Sequence, residues 1–312
     1  MKQIFFFLLI LGVLGLFGIY SIVPKKNNVS VSLKMKVNSW TAGRLLNNRT
    51  IWTDVFKDSA KQQSINNDEF RYDEHTYQIG KVVLNTAGIL IATPERKYPS
   101  LLQIIALSQD SSIIEWKTEV NSGFNPLTRI ESHQDAKQLK AEFGELLKNM
   151  RKLLENGENA YGVKIEHTKV VDTLLISKKI MFDHYPTTAE IYQVVNDLKN
   201  YIARHHINQT NPAMLNIKSI DADYQMMVAL PIEHEIPEND EFKIKIMVPG
   251  NILVTEVKGG TATTAEALHS LETYLQDKSL SSPAIPFESL ITDRSQEPDT
   301  SKWITKVYYP IY

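Results

Sequence analysis

The sequence predicts an α+β chain of two folded units behind one apolar helix. Three observations predict it: an uncharged N-terminal run, an antiparallel pattern that closes on a long amphipathic helix, and a strand–helix–strand–strand pattern written twice. At 312 residues the chain exceeds one ordinary domain. The expected divisions are 1–27 for the apolar segment, 28–158 for the first unit and 159–312 for the second. The net charge of -2 and pI near 6.5 argue against an electrostatic nucleic-acid binder. The lack of cysteine excludes disulfides, thiolate metal sites and cysteine nucleophiles.

The segment Ile4–Val23 carries no charged side chain. As a helix rising about 1.5 Å per residue, its 20 residues match a bilayer core of about 30 Å. It is long for a signal peptide, and Ser21-Ile22-Val23-Pro24 offers no small-x-small cleavage pattern. The expectation is an uncleaved, single-pass membrane anchor. Lys25, Lys26, Lys34 and Lys36 would pull the downstream part toward the cytoplasm. A large domain behind a short anchor is often exported, so the side stays open, with the extracytoplasmic one preferred.

In the first unit, Val29 to Val37 alternate strictly, as a strand with one buried face does. A helix is expected within Trp40–Phe56, weakened at Asn47-Asn48. Short β-like runs follow at Phe70–Gly80, Lys81–Asn85, Gly88–Thr93, Leu101–Leu107 and Ser112–Thr118. A helix from about Asp135 to Glu155 closes the unit, with Leu139, Phe143, Leu146, Leu147, Met150, Leu153 and Leu154 on one stripe.

The second unit contains a duplication. Thr-Thr-Ala-Glu occurs at Thr187–Glu190 and again at Thr263–Glu266. Each copy follows a β-rich run, Val170–Ile176 or Ile252–Val257, and opens a helical pattern. The Thr-x-x-Glu spacing is that of a capping box, so Thr187/Glu190 and Thr263/Glu266 are expected as matched helix starts. Pro212 and Pro283 then stop helical continuation. Two strand-like runs end each copy: Met214–Ile220 and Tyr224–Ile232, then Phe287–Thr292 and Trp303–Ile311. Two such units can share one sheet, with both helices on one face and a concave surface on the other.

Lys258-Gly259-Gly260, Leu271-x-x-Tyr274-Leu275, Pro286-Phe287-Glu288, Thr292-Asp293 and the closing Trp303 to Ile311 carry a resemblance. On these residues, about 160–312 resembles the GyrI-like small-molecule-binding domain, also found as the effector-binding part of AraC- and MerR-type regulators. The element order of residues 28–158 is similar to the helix-grip fold of SRPBCC (START-like, polyketide cyclase-type) domains. Membrane-anchored proteins that join the two are a familiar arrangement. The GyrI-like resemblance implies a ligand cavity reached by Lys306 and Tyr308, with Phe287 or Glu288 nearby and Trp303 a further candidate. In that family an acidic residue commonly stands where Lys306 stands here. With lysine there, the cavity is expected to prefer neutral or anionic ligands.

No catalytic or metal motif stands out. His205-His206 and Glu233-His234-Glu235 lack metal-ligand spacing, and no H-E-x-x-H, G-x-S-x-G, P-loop or G-x-G-x-x-G pattern occurs. Gly259-Gly260 reads as a tight turn into a helix. The first functional expectation is a membrane-anchored, non-catalytic binder of small apolar or aromatic molecules, with a cavity in each domain and without cofactor, metal or nucleic-acid partner. The second is a hydrolase or isomerase using Glu288 or Tyr308 for proton transfer. The third is an anchored interaction module whose cavities are filled. A DNA-binding regulator is disfavoured because no basic recognition helix accompanies the second unit.

Overall fold

The computed structural model describes residues 2–57, 62–66 and 68–311. Its chain divides into two units, Met1–Asn156 and Gly157–Tyr312. The first unit runs α1 (Lys2–Ile22), β1 (Lys26–Met35), α2 (Ser39–Leu46), α3 (Arg49–Lys57), β2 (Gln62–Asn66), β3 (Glu69–Tyr72), β4 (His75–Val83), β5 (Thr86–Ala92), β6 (Lys97–Ser108), β7 (Ser111–Asn121) and α4 (Pro126–Leu154). The single helix expected over 40–56 is broken in two. Asn38 Oδ1 accepts from the N–H groups of Trp40 and Thr41 at 2.7 and 3.1 Å and starts α2. Asn47 caps its C-terminal end, and Asn48 Oδ1 accepts from the N–H of Thr50 near the start of α3. The short asparagine side chains supply local hydrogen bonds that compete with a continuous helix.

The seven strands form one antiparallel sheet in the order β1-β7-β6-β5-β4-β3-β2. The long helix α4 packs on this sheet through Leu139, Phe143, Leu146, Leu147 and Met150, all fully buried. Between them the space is filled by aromatic rings. Trp116 stacks on Phe143 at 4.5 Å, Tyr77 meets Trp116 edge-on at 5.7 Å, and Phe56 stacks on Phe70 at 4.7 Å. One carboxylate enters this core. Glu142 accepts from the Tyr77 hydroxyl at 2.5 Å and from Gln138 at 3.0 Å, and lies 2.9 Å from His75 Nδ1. Three partners offset the desolvation of a side chain this deeply buried.

Among the described residues no helix is long and apolar enough to cross a membrane. The single-pass anchor and the membrane localisation built on it are therefore overturned. The end of α1 is instead tied to the start of α4: Arg129 Nε donates to the Val23 carbonyl at 2.6 Å, its guanidinium lies 4.8 Å from the centre of the Tyr20 ring, and the Tyr20 hydroxyl donates to the Phe124 carbonyl.

The second unit runs α5 (Gly157–Tyr161), β8 (Glu166–Lys169), β9 (Leu174–Phe182), α6 (Thr188–Arg204), β10 (Met214–Ile220), β11 (Asp223–Pro231), β12 (Lys243–Ile246), β13 (Asn251–Lys258), α7 (Thr261–Lys278), β14 (Phe287–Leu290) and β15 (Ile304–Ile311). Its eight strands form one sheet in the order β12-β9-β11-β10-β14-β15-β13-β8. The order reads as a palindrome of roles. First, third and second strand of one repeat meet second, third and first strand of the other, joined by the antiparallel pair β10–β14. Helix α6 buries Ile191, Val194, Val195, Leu198 and Ile202 against β9, β10 and β11, and α7 buries Ala267, Leu271 and Leu275 against β13 and β15.

The two helix starts differ. At α6 the capping box forms: Thr187 Oγ1 accepts from the Glu190 N–H, and the Glu190 carboxylate accepts from the Thr187 N–H at 2.8 Å. At α7 the expected Thr263/Glu266 box does not form. The helix begins three residues earlier, with Gly260 as a cap that has no side chain to offer. Gly259, at φ +148°, permits that entry, and a Cβ there would stand 2.4 Å from Thr263 Oγ1.

Candidate functional site

Side chains alternate across a strand, and residues paired across neighbouring strands share a face. In the second unit Phe287 pairs with Tyr308 and Ser289 with Lys306, while Glu288 pairs with Val307 and Leu290 with Thr305. Val307 and Leu290 belong to the cores under α7 and α6. Phe287, Ser289, Lys306 and Tyr308 therefore face away from the helices, with Met214, Asn216, Met227 and Ala229 beside them.

That face is bridged by two chain segments. Strand β8 precedes the first repeat in sequence yet pairs with β13 of the second, and β12 precedes the second repeat yet pairs with β9 of the first. From β12 to β13 is six strand positions, about 29 Å if the sheet were flat. The chain from Ile246 to Asn251 spans at most about 18 Å. The same shortfall holds from Lys169 to Leu174. The sheet must curl, and the connections 170–173 and 247–250 meet across its open face. They hydrogen-bond to each other, Val170 N–H to Gly250 O at 3.0 Å and Met247 N–H to Thr173 O at 2.8 Å.

Between these straps and the sheet lies a cavity of about 650 Å³. Its lining is mainly apolar: Leu175, Met214, Met227, Met247, Ile285 and Phe287, with Lys179, Lys245, Asn216 and Asn251 as polar members. A smaller hollow of about 250 Å³ adjoins it, sharing Val170, Met214, Met247 and Phe287. This one is polar, with Lys169, Asp172, Asn211, Ser289, Lys306 and Tyr308. The Tyr308 ring stacks on Phe287 at 4.9 Å. Burial pushes the Tyr308 hydroxyl pKa up, and the nearby Asp172 and Glu256 carboxylates push the same way. Asp172 Oδ1 accepts from Asn211 Nδ2 at 2.7 Å, and Lys306 Nζ lies 3.8 Å from Glu256.

Of the five residues singled out from sequence, Phe287, Lys306 and Tyr308 come together at these hollows. Glu288 and Trp303 do not; they gather around Arg294 on the helix side of the sheet. The Arg294 guanidinium donates to Glu288 at 3.2 Å and to Thr305 Oγ1 at 2.8 Å, and lies 4.8 Å from the centre of the Trp303 ring. Burial raises the Glu288 pKa, and the Arg294 charge and hydrogen bond oppose that rise. Glu288 and Tyr308 thus stand on opposite faces of the sheet. Sequence reasoning missed the three methionines, Lys179, Lys245 and the straps. The alternation Leu175, Ser177, Lys179 could have exposed the strand face; the strap pairing leaves no local signal.

Among the described residues no cluster of His, Asp or Glu has the makings of a metal centre. No protein-family model matches the sequence, and no curated protein matches it. Solved structures similar to part of the chain include the C-terminal domain of EcmrR, at TM-score 0.42 and 11% identity over 48% of this chain and 98% of that one. SAV2435 bound to tetraphenylphosphonium matches at TM-score 0.32 and 13% identity, over 48% and 94%. A hydrolase from Listeria innocua matches at TM-score 0.34 and 10% identity, over 47% and 92%.

Proposed function

We propose that the second unit is a GyrI-like domain that binds a small, largely apolar or aromatic molecule in the strapped cavity. Phe287 provides its aromatic wall and Lys179 and Lys245 are among its polar contacts, while Tyr308 and Lys306 line the adjoining smaller hollow. The supporting observation is a cavity of about 650 Å³ lined mainly by apolar side chains with a few polar ones. Ligand sites commonly have this size and composition. The first unit is read as a START-like domain, supported by a seven-stranded antiparallel sheet packed against one long C-terminal helix. Its interior is occupied by Trp116, Phe143, Tyr77 and Phe56, so binding is assigned to the second unit alone. Catalysis, a cofactor and a nucleic-acid partner form no part of the reading.

Titration of the full chain with a neutral, environment-sensitive apolar fluorophore tests it. The expected result is saturable binding that Met227→Trp, which fills the cavity from the sheet side, weakens at least tenfold without lowering Tm. Binding that is absent, or indifferent to Met227→Trp, overturns the reading.

A further inference from the structure

The charges around the two hollows are unevenly placed. Lys306 has carboxylates close by: Glu256 at 3.8 Å, with Asp172 lining the same hollow. The larger cavity is lined by Lys179 and Lys245 and by no carboxylate. On β9 the contrast between neighbours is sharp. Lys178, on the helix side, is held by Asp197 at 2.8 Å and by Glu241. Lys179, on the cavity side, and Lys245 have no ion-pair partner among the described residues. In the acidic segment before β12, Glu241 pairs with Lys178 and Glu238 accepts from the Ile244 backbone N–H at 2.6 Å.

A charged rim of one sign on a low-dielectric hollow attracts the opposite charge. The apolar wall beyond it accepts a hydrocarbon or aromatic body. We infer that the guest is a single-chain amphiphile with an anionic head, the head at Lys179 and Lys245 and the body over Met214, Met247 and Phe287. The inference rests on the ligand-binding reading above. The competing explanation for Lys245 is that a lysine on the edge strand β12 deters pairing with another sheet. It predicts no ligand discrimination.

The test is displacement of the neutral fluorophore from the full chain by dodecanoate, dodecanol and dodecyltrimethylammonium, each below its self-association concentration. Dodecanoate is expected to displace the probe at least tenfold more effectively than the other two. The double variant Lys179→Glu/Lys245→Glu is expected to erase that advantage, read as the ratio of dodecanoate to dodecanol displacement within the variant. Equal displacement by all three, or an advantage that survives the double variant, overturns the anionic-head inference and leaves the cavity reading standing. Failure of the probe to bind at all overturns the cavity reading first, and this inference with it.

Discussion

Both units set an antiparallel sheet against helices, but they treat the inner surface of the sheet differently. In the first unit the space between sheet and long helix is closed by stacked rings, with Trp116 on Phe143 and Tyr77 edge-on to Trp116. In the second unit the helices cover one face only. The other curls beneath two straps and keeps Phe287 and Tyr308 half-buried beside a cavity. The same layered logic yields a structural core in one case and a binding surface in the other. The difference lies in what covers the second layer: a helix bearing large side chains, or backbone straps that stand off from the sheet.

Phe143→Ala should cost about 3–5 kcal/mol, because the ring is fully buried and its neighbours cannot close the gap. Phe287→Ala should cost about 1 kcal/mol. Denaturant unfolding of the two variants measures both, and equal losses would mean that the cavity wall is an ordinary core. A second pair concerns buried carboxylates. Glu142→Gln should cost about 3 kcal/mol, since Glu142 is held by Tyr77, His75 and Gln138 in the dry interior. Glu288→Gln should cost about 1–2 kcal/mol, since Glu288 keeps partial solvent contact beside Arg294.

The repeats supply a finer comparison. Thr187→Ala should cost about 1 kcal/mol by loss of the cap, whereas Thr263→Ala should cost a few tenths. The smallest effect is pH-dependent. His184 contacts Asp183 at 2.7 Å and Glu190 at 3.1 Å, and both raise its pKa. Its stabilising contribution is thus full below the unfolded value of about 6.5 and fades as pH rises through the raised folded value. An NMR titration should find the ring pKa above that value and returned toward it in Glu190→Gln.

Residues whose role is set by nearby sequence were legible. The alternation over Val29–Val37, the apolar stripe of the long helix and the doubled strand–helix pattern all follow from local periodicity. Boundaries moved where tertiary pairing decides them. The first β-run of the repeat, expected over Val170–Ile176, becomes strap followed by β9 at Leu174–Phe182, because residues 170–173 bond across to the other half. Strands β8 and β12 are four residues each and largely exposed, so they carry no hydrophobic signature. Of the site, the closing strand was legible as Lys306 and Tyr308 on one face. The partition of Phe287 from Glu288 needed the register of β14 against β15, which no single strand reveals.

On this reading a guest enters the cavity of the second unit. Methyl NMR of the methionines tests it most directly, because they are spread over both units. On adding the neutral apolar probe, the methyl signals of Met214, Met227 and Met247, which line the cavity, should shift together. Those of Met35 and Met150, fully buried in the first unit, and of Met226, beneath α6, should stay in place. Shifts at Met35 or Met150, or silence at all three cavity methionines under saturating probe, would contradict the account.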